Sequence, residues 1–269
     1  MAKPKSNPKL SGQVGDKVYK DGKYGAVVQS MPKGGGGKPG SRSREQNVRT
    51  AYLNELASDV NTIISKYAGT FKEGGFYQSM QSRFRSEKLD NRFLLLKTLE
   101  GLEINSNYPL AKLGKARVTV TARGGKMTVS QDVIYHPSAS IKGHKADCYS
   151  YELLLLIWVK DEASAFPMAK KSAWVRLDDE VPFFKYYLDL PGNATEWLVC
   201  VRQILGVNEE RIEAFVAEGM QIVLAGTSNK KDLALYEQKK KEAAELLKKS
   251  SKKKKKDDEG RVQPTKRKK

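Results

Sequence analysis

Two cysteines and two histidines are all that 269 residues hold of the side chains that most often bind metals or form disulfides. Cys148 and Cys200 are too few for a disulfide framework, so a reduced, intracellular setting is expected. His136 and His144 share one polar stretch with Asp147 and Cys148. The spacing, His-x7-His-x3-Cys, matches no paired-ligand zinc signature. The reading is two loop histidines beside a small buried thiol, with no metal and no cofactor. Apolar runs are short as well: Leu153–Val159 has seven residues, whereas a bilayer crossing needs about 20. The opening Met1-Ala-Lys-Pro-Lys-Ser-Asn-Pro-Lys9 lacks the apolar segment of a secretory signal. No serine sits in a nucleophile elbow, and no glycine fingerprint follows a strand and opens a helix. Asp178-Asp-Glu180, before Pro182, reads as a solvated turn rather than a calcium site or an acid–base pair. These absences point away from the common enzyme classes, from a small-molecule substrate and from membrane insertion.

What the chain has in excess is positive charge, and that charge has an address. Residues 1–44 carry ten Lys/Arg against two Asp/Glu, and residues 228–269 carry seventeen against seven. The two flanks therefore account for the whole formal charge of +18, and residues 45–227 are electroneutral with 22 of each sign. Flanks of this kind attract polyanions: nucleic acid, an anionic lipid surface or an acidic protein. Solubilisation is the plainer alternative. Lysine runs neutralise phosphates without reading sequence, and the C-terminal run has no interleaved aromatics for base stacking.

The central landmark is Tyr151–Val159. Its Ile, Val and Trp content and abrupt bounds predict a strand buried on both faces. Before it, residues 1–11 read as disordered. Gln13–Lys20 and Lys23–Ser30, around Asp21-Gly22, predict a β-hairpin. Pro32–Ser41 is a flexible linker; Pro39 after Lys38 removes the magnesium-binding position of a phosphate loop. Ser43 and Gln46 make a capping box for a helix that ends near Gly69. A second helix is expected over about 75–88, with Phe76, Met80 and Phe84 on one face. A third follows Asp90 as N-cap and carries Phe93 through Leu102. From Tyr108 the period changes to two. Arg117–Arg123, Gly124-Gly125 and Lys126–Tyr135 form a second hairpin. Ser172–Leu177, Phe183–Leu190, Glu196–Leu205 and Met220–Ala225 supply further strands. Seven strands in this span match an immunoglobulin-like sandwich, with Trp158, Trp174 and Trp197 as bulk between its sheets. Cys148 falls outside its strand in this reading, so no inter-sheet disulfide is expected. Residues 207–218 read as a loop or short helical turn. Lys230–Lys249 reads as a lysine-rich helix, and the run beyond Ser250 as disordered.

The layout resembles a family of uncharacterised bacterial proteins classed as a domain of unknown function. The matching residues are Gly12-Gln-Val-Gly15, Val18, Asp21-Gly22-Lys23, Pro32, Gln46, Arg49, Tyr108-Pro109, Leu153–Val159 and Tyr187-Leu-Asp-Leu-Pro191. The likeness spans about 10–227; Gly34–Gly37 and everything after 228 fall outside it. It implies an N-terminal hairpin, helices and an immunoglobulin-like β region, and no catalytic residues. Phage or mobile-element structural roles are associated with such small modules.

The expected architecture is α+β: a basic arm, β-hairpin and Gly-rich linker (1–42), a small helical segment (43–107), an antiparallel immunoglobulin-like β-sandwich (108–227), and a Lys-rich helix with a disordered basic tail (228–269). The expected function is non-enzymatic binding, with the basic termini contacting nucleic acid without sequence specificity. The candidate contacts are Arg42, Arg44, Lys252, Lys253, Lys254, Lys255, Lys256, Lys266, Arg267, Lys268 and Lys269. The alternative is an assembly module, possible in a phage particle, that adds its hairpin to a partner through Val18, Tyr19, Tyr24, Val27 and Val28, the tail then serving solubility. The expected location is cytoplasmic, or a virion if the chain is phage-derived.

Overall fold

The computed structural model describes residues 12–14, 17–22, 25–30 and 41–259, with side chains described over 44–246. It is a mixed α+β molecule with antiparallel sheets, in two units, residues 1–47 and 48–269. In the first unit β1 (Gly12–Val14), β2 (Lys17–Gly22) and β3 (Gly25–Ser30) pair in that order. Gly22 stands opposite Gly25, so Asp21 and Gly22 belong to β2 rather than to a turn. Tyr24 lies outside the described residues, as do the side chains of Val18, Tyr19, Val27 and Val28.

Three helices follow. Helix α1 (Ser41–Ala68) starts two residues before the expected cap Ser43. It buries Leu53, Leu56, Ala57, Val60, Ile64 and Ala68, one stripe at helical spacing. Helix α2 (Phe76–Ser86) buries Phe76, Met80 and Phe84, as their spacing requires. Helix α3 (Arg92–Lys97) corrects two expectations. Its N-cap is Asn91, whose Oδ1 accepts the Leu94 N–H at 3.0 Å; Asp90 instead pairs with Arg49. It also stops before Leu102. Gly101 takes a positive φ of 77°, and the chain turns into β4 (Leu102–Glu103).

The remaining strands are β5 (Lys115–Arg123), β6 (Lys126–Tyr135), β7 (Ser140–Ile141), β8 (His144–Lys145), β9 (Cys148–Val159), β10 (Phe166–Lys171), β11 (Val175–Arg176), β12 (Phe183–Asp189), β13 (Ala194–Val207), β14 (Glu210–Arg211) and β15 (Glu218–Thr227). The β5–β6 turn has Gly124 and Gly125 at φ 59° and 73°, the positive angles that only glycine adopts cheaply in a primed turn. The large sheet runs β10-β9-β13-β15-β4, and a second sheet runs β12-β6-β5. Strand β9 sits inside the large sheet, which explains its unbroken apolar run. Its even residues Leu154, Leu156 and Trp158 meet the helices, and its odd residues Leu153, Leu155 and Ile157 meet the second sheet. Each such side chain contributes about 1.5–3 kcal/mol.

The helices thus form a layer of their own against the large sheet, a packing that the sequence reading did not include. Only Trp197 lies between the sheets; Trp158 faces the helices, and Trp174 is half-buried over Gly206. Cys148 opens β9 rather than preceding it, yet both thiols are free. Strand β10 was unforeseen. Pro167 would disrupt an inner strand but is tolerated on this outermost one. Ser172–Leu177 shortens to β11 because Ser172 Oγ takes the Tyr151 N–H and donates to the Ala173 carbonyl, breaking the ladder. Residues 208–217 are a short hairpin return and a 3-10 turn. Helix α4 (Lys230–Glu259) closes the described chain, continuing ten residues past the expected Lys249 end.

Candidate nucleic-acid interface

Helix α4 begins where local chemistry dictates. Asn229 Oδ1 accepts the Lys231 N–H at 3.0 Å, and Asp232 in the first turn complements the helix dipole. Three contacts fasten its first turns to the body. Asn91 Nδ2 donates to Asp232 Oδ1 at 2.8 Å. The Tyr236 ring meets Phe93 edge-on at 5.8 Å, with Lys97 Nζ 5.0 Å from the Tyr236 ring centre. Lys239 Nζ lies 2.5 Å from Glu87 Oε1. Desolvation pushes the Glu87 carboxyl up, but Lys239 and the Leu89 and Lys88 N–H groups outweigh it and hold the group below its ordinary value.

After Lys239 every described residue to Leu246 is exposed. At 1.5 Å per residue, the helix continues for about 30 Å from 240 to 259, past the last anchor among the described residues. Lys230, Lys231, Lys240 and Lys241 form no ion pair among the described residues. Lys252–Lys256 fall within α4, but their side chains lie outside the described set, and Lys266–Lys269 lie wholly outside it. Arg44 is exposed on α1, and the Arg42 side chain is outside the described set.

A second basic surface was not foreseen. The outer face of the β12-β6-β5 sheet carries the rungs Phe183–Asp132–Arg117, Lys185–Ser130–Thr119, Tyr187–Thr128–Thr121 and Asp189–Lys126–Arg123. Phe183 is 55% and Tyr187 70% exposed, about 14 Å apart along the strand. Lys185 Nζ lies 5.4 Å from the Phe183 ring centre. Arg117, Arg123 and Lys126 form no ion pair among the described residues. The alternation Phe183-x-Lys185-x-Tyr187 is plain in the sequence. Which side of the strand meets solvent is not.

One charge cluster is committed to structure. Arg202, 7% exposed, donates from Nε and Nη2 to Glu218 Oε2 at 3.0 and 2.5 Å, and from Nη1 to the Tyr67 carbonyl and Glu152 Oε2. Arg211 closes on the other Glu218 oxygen. Arg202 and Glu152 of this cluster line a crevice of about 400 Å³ together with Lys66, Lys170 and Lys171. Burial raises the Asp59 and Glu103 carboxyls, but these accept the Ala165 and Leu110 N–H groups and tie loops to the core.

Among the described residues no cluster of His, Cys, Asp and Glu suits a metal. His136 instead bridges Tyr149 OH (3.0 Å) and the Asp179 carbonyl (2.9 Å). Burial and its bond with Asp147 push the Cys148 thiol up to about 11, and burial alone raises Cys200. The Asp178–Glu180 carboxylates are exposed, with Asp178 and Asp179 holding Arg176. Among the described residues no helix is long and apolar enough to cross a membrane. Set against known proteins, the chain matches no family model, no curated protein and no solved structure.

Proposed function

We propose that the chain is a non-enzymatic binding protein whose basic C-terminal helix and tail contact nucleic acid without reading its sequence. The observation that carries this reading is the mounting of α4. Its first turns are clamped by Asn91, Phe93 and Glu87, and the described residues after Lys239 are exposed as far as Leu246. A tail meant only for solubility needs no such anchor. The anchor fixes where the +10 flank leaves the body, and the Phe183–Lys185–Tyr187 face offers a second, separate basic surface. Arginine and lysine there reach phosphates, and exposed rings offer stacking platforms for unpaired bases. The bacterial domain-of-unknown-function family and the immunoglobulin-like description of the two packed sheets belong to the same proposal.

The test is fluorescence anisotropy with several duplexes and single strands of equal length and unrelated sequence at low salt. Dissociation constants within a few-fold of one another support the reading. Absence of binding, or discrimination beyond about tenfold between duplexes, a gap of ~1.4 kcal/mol, sinks it. Recovery of the native protein with its partners, with and without nuclease, separates nucleic acid from an acidic protein partner.

A further inference from the structure

The two sheets do not close evenly on one another. Between β5, at the edge of the small sheet, and β13 and β15 of the large one lies a cavity of about 110 Å³. Its apolar walls include Val118, Val201 and Val223, and Lys115 is its one charged lining residue. Gln203 and Tyr151, cross-strand neighbours in β13 and β9, face into it. Gln203 is 0% and Tyr151 1% exposed, yet both carboxamide atoms of Gln203 and the Tyr151 hydroxyl lack a hydrogen-bond partner among the described residues. Gln131, opposite Val118 in β6 but outside the cavity lining, is also buried with both its amide atoms unpaired among the described residues.

Buried polar groups without partners are rare because each forfeits its bonds to water. Here three such atoms, from Gln203 and Tyr151, meet at one cavity. Gly114 packs directly on Gln203: a Cβ there would lie 3.0 Å from Oε1 and 3.1 Å from Nε2. The absent side chain leaves the carboxamide its position. Water alone fits poorly. The space takes a few waters, each needing two to four polar partners, against walls that are mostly apolar. A carboxamide is matched best by another amide edge, which accepts from Nε2 and donates to Oε1 at once, the same reciprocity by which glutamine reads adenine.

We infer that this inter-sheet cavity binds a small, uncharged, planar molecule through an amide edge, –CO–NH–, paired with Gln203. Tyr151 donates to a second acceptor, and the valines cover the flat faces. Cationic ligands are excluded, because the lining holds Lys115 and no carboxylate. The site is independent of the basic tail. The amide edge has two sources, a pyrimidine-type ring or a free small amide.

The experiment is NMR of the full, perdeuterated chain, following the glutamine side-chain NH2 signals during titration with uracil and, separately, acetamide. The Gln203 signal is expected to shift and saturate. Uracil alone acting assigns a ring; acetamide acting as well assigns the bare amide. With 1,3-dimethyluracil, which has no N–H to donate, Gln203 should not respond. Gln203→Leu should weaken binding at least tenfold while raising the Tm of the empty protein by about 2–4 °C, since an unpaired amide is replaced by an apolar group of similar size. Gly114→Ala, which crowds the carboxamide but keeps it, should weaken binding without that gain in Tm. No response of Gln203 to either probe, unchanged affinity in Gln203→Leu, or a fall in its Tm would overturn the assignment, leaving ordered water as the occupant.

Discussion

Arg202→Met isolates the buried charge cluster that ties α1, β9, β13 and β15 together. The guanidinium is the principal partner of Glu218, which is 1% exposed. Removing one member of a buried pair costs about 3–5 kcal/mol, because a charge is left behind out of water. Glu218 keeps Arg211, whose side chain is 38% exposed, so the lower end applies, about 3 kcal/mol. For a chain of this size that is a drop in Tm of about 6–12 °C. Urea unfolding should give the same loss with an unchanged m-value. The double variant Arg202→Met/Glu218→Met removes both charges and fills the space, so it should recover to within about 1 kcal/mol of wild type. Arg211 and Glu152 then turn to solvent. A single variant within about 1 kcal/mol of wild type, or a double variant as unstable as the summed singles, would refute the reasoning.

Gly226→Ala places a Cβ 2.3 Å from Trp197 Nε1, so the indole must move; a loss of about 1–3 kcal/mol and a red-shifted tryptophan emission are expected by fluorescence and calorimetry. Glu87 sits below its ordinary 4.5 in the folded chain, so the stability it lends is present above that value and is lost as pH falls through the depressed one. Protection of the amides of residues 233–239 relative to intrinsic exchange should therefore hold above pH 4.5 and fall as pH drops through the depressed value, an effect that Glu87→Gln abolishes. Cys148 and Cys200, buried with raised thiols, should resist iodoacetamide at pH 7.5 in the native chain and react on unfolding.

The sequence carried the elements whose signals are local. Gly124-Gly125 names its turn because only glycine fits there, and the stripes of α1 and α2 name their buried faces. What it did not carry is how faces are shared out. Leu153–Val159 says that both sides of a strand are covered, but not that helices cover one and a sheet the other. Pro167 hid β10, since a proline is legible as an edge residue only once the edge is known. Asp90 and Asn91 are equally good caps by type, and the Arg49 partner of Asp90 decides between them from 41 residues away. The electroneutral count over 45–227 concealed the basic outer face of the small sheet, because a sum has no sides.

Deleting residues 250–269 tests the polyanion reading most directly. That segment holds ten Lys/Arg against three Asp/Glu and leaves the α4 anchors at Asp232, Tyr236 and Lys239 intact. Each phosphate neutralised contributes about −0.9 to the slope of log K against log salt on duplex DNA, so loss of even half those contacts should flatten the slope by about 4–5. Affinity should fall for all sequences alike. An unchanged slope and affinity in the shortened chain would contradict the account.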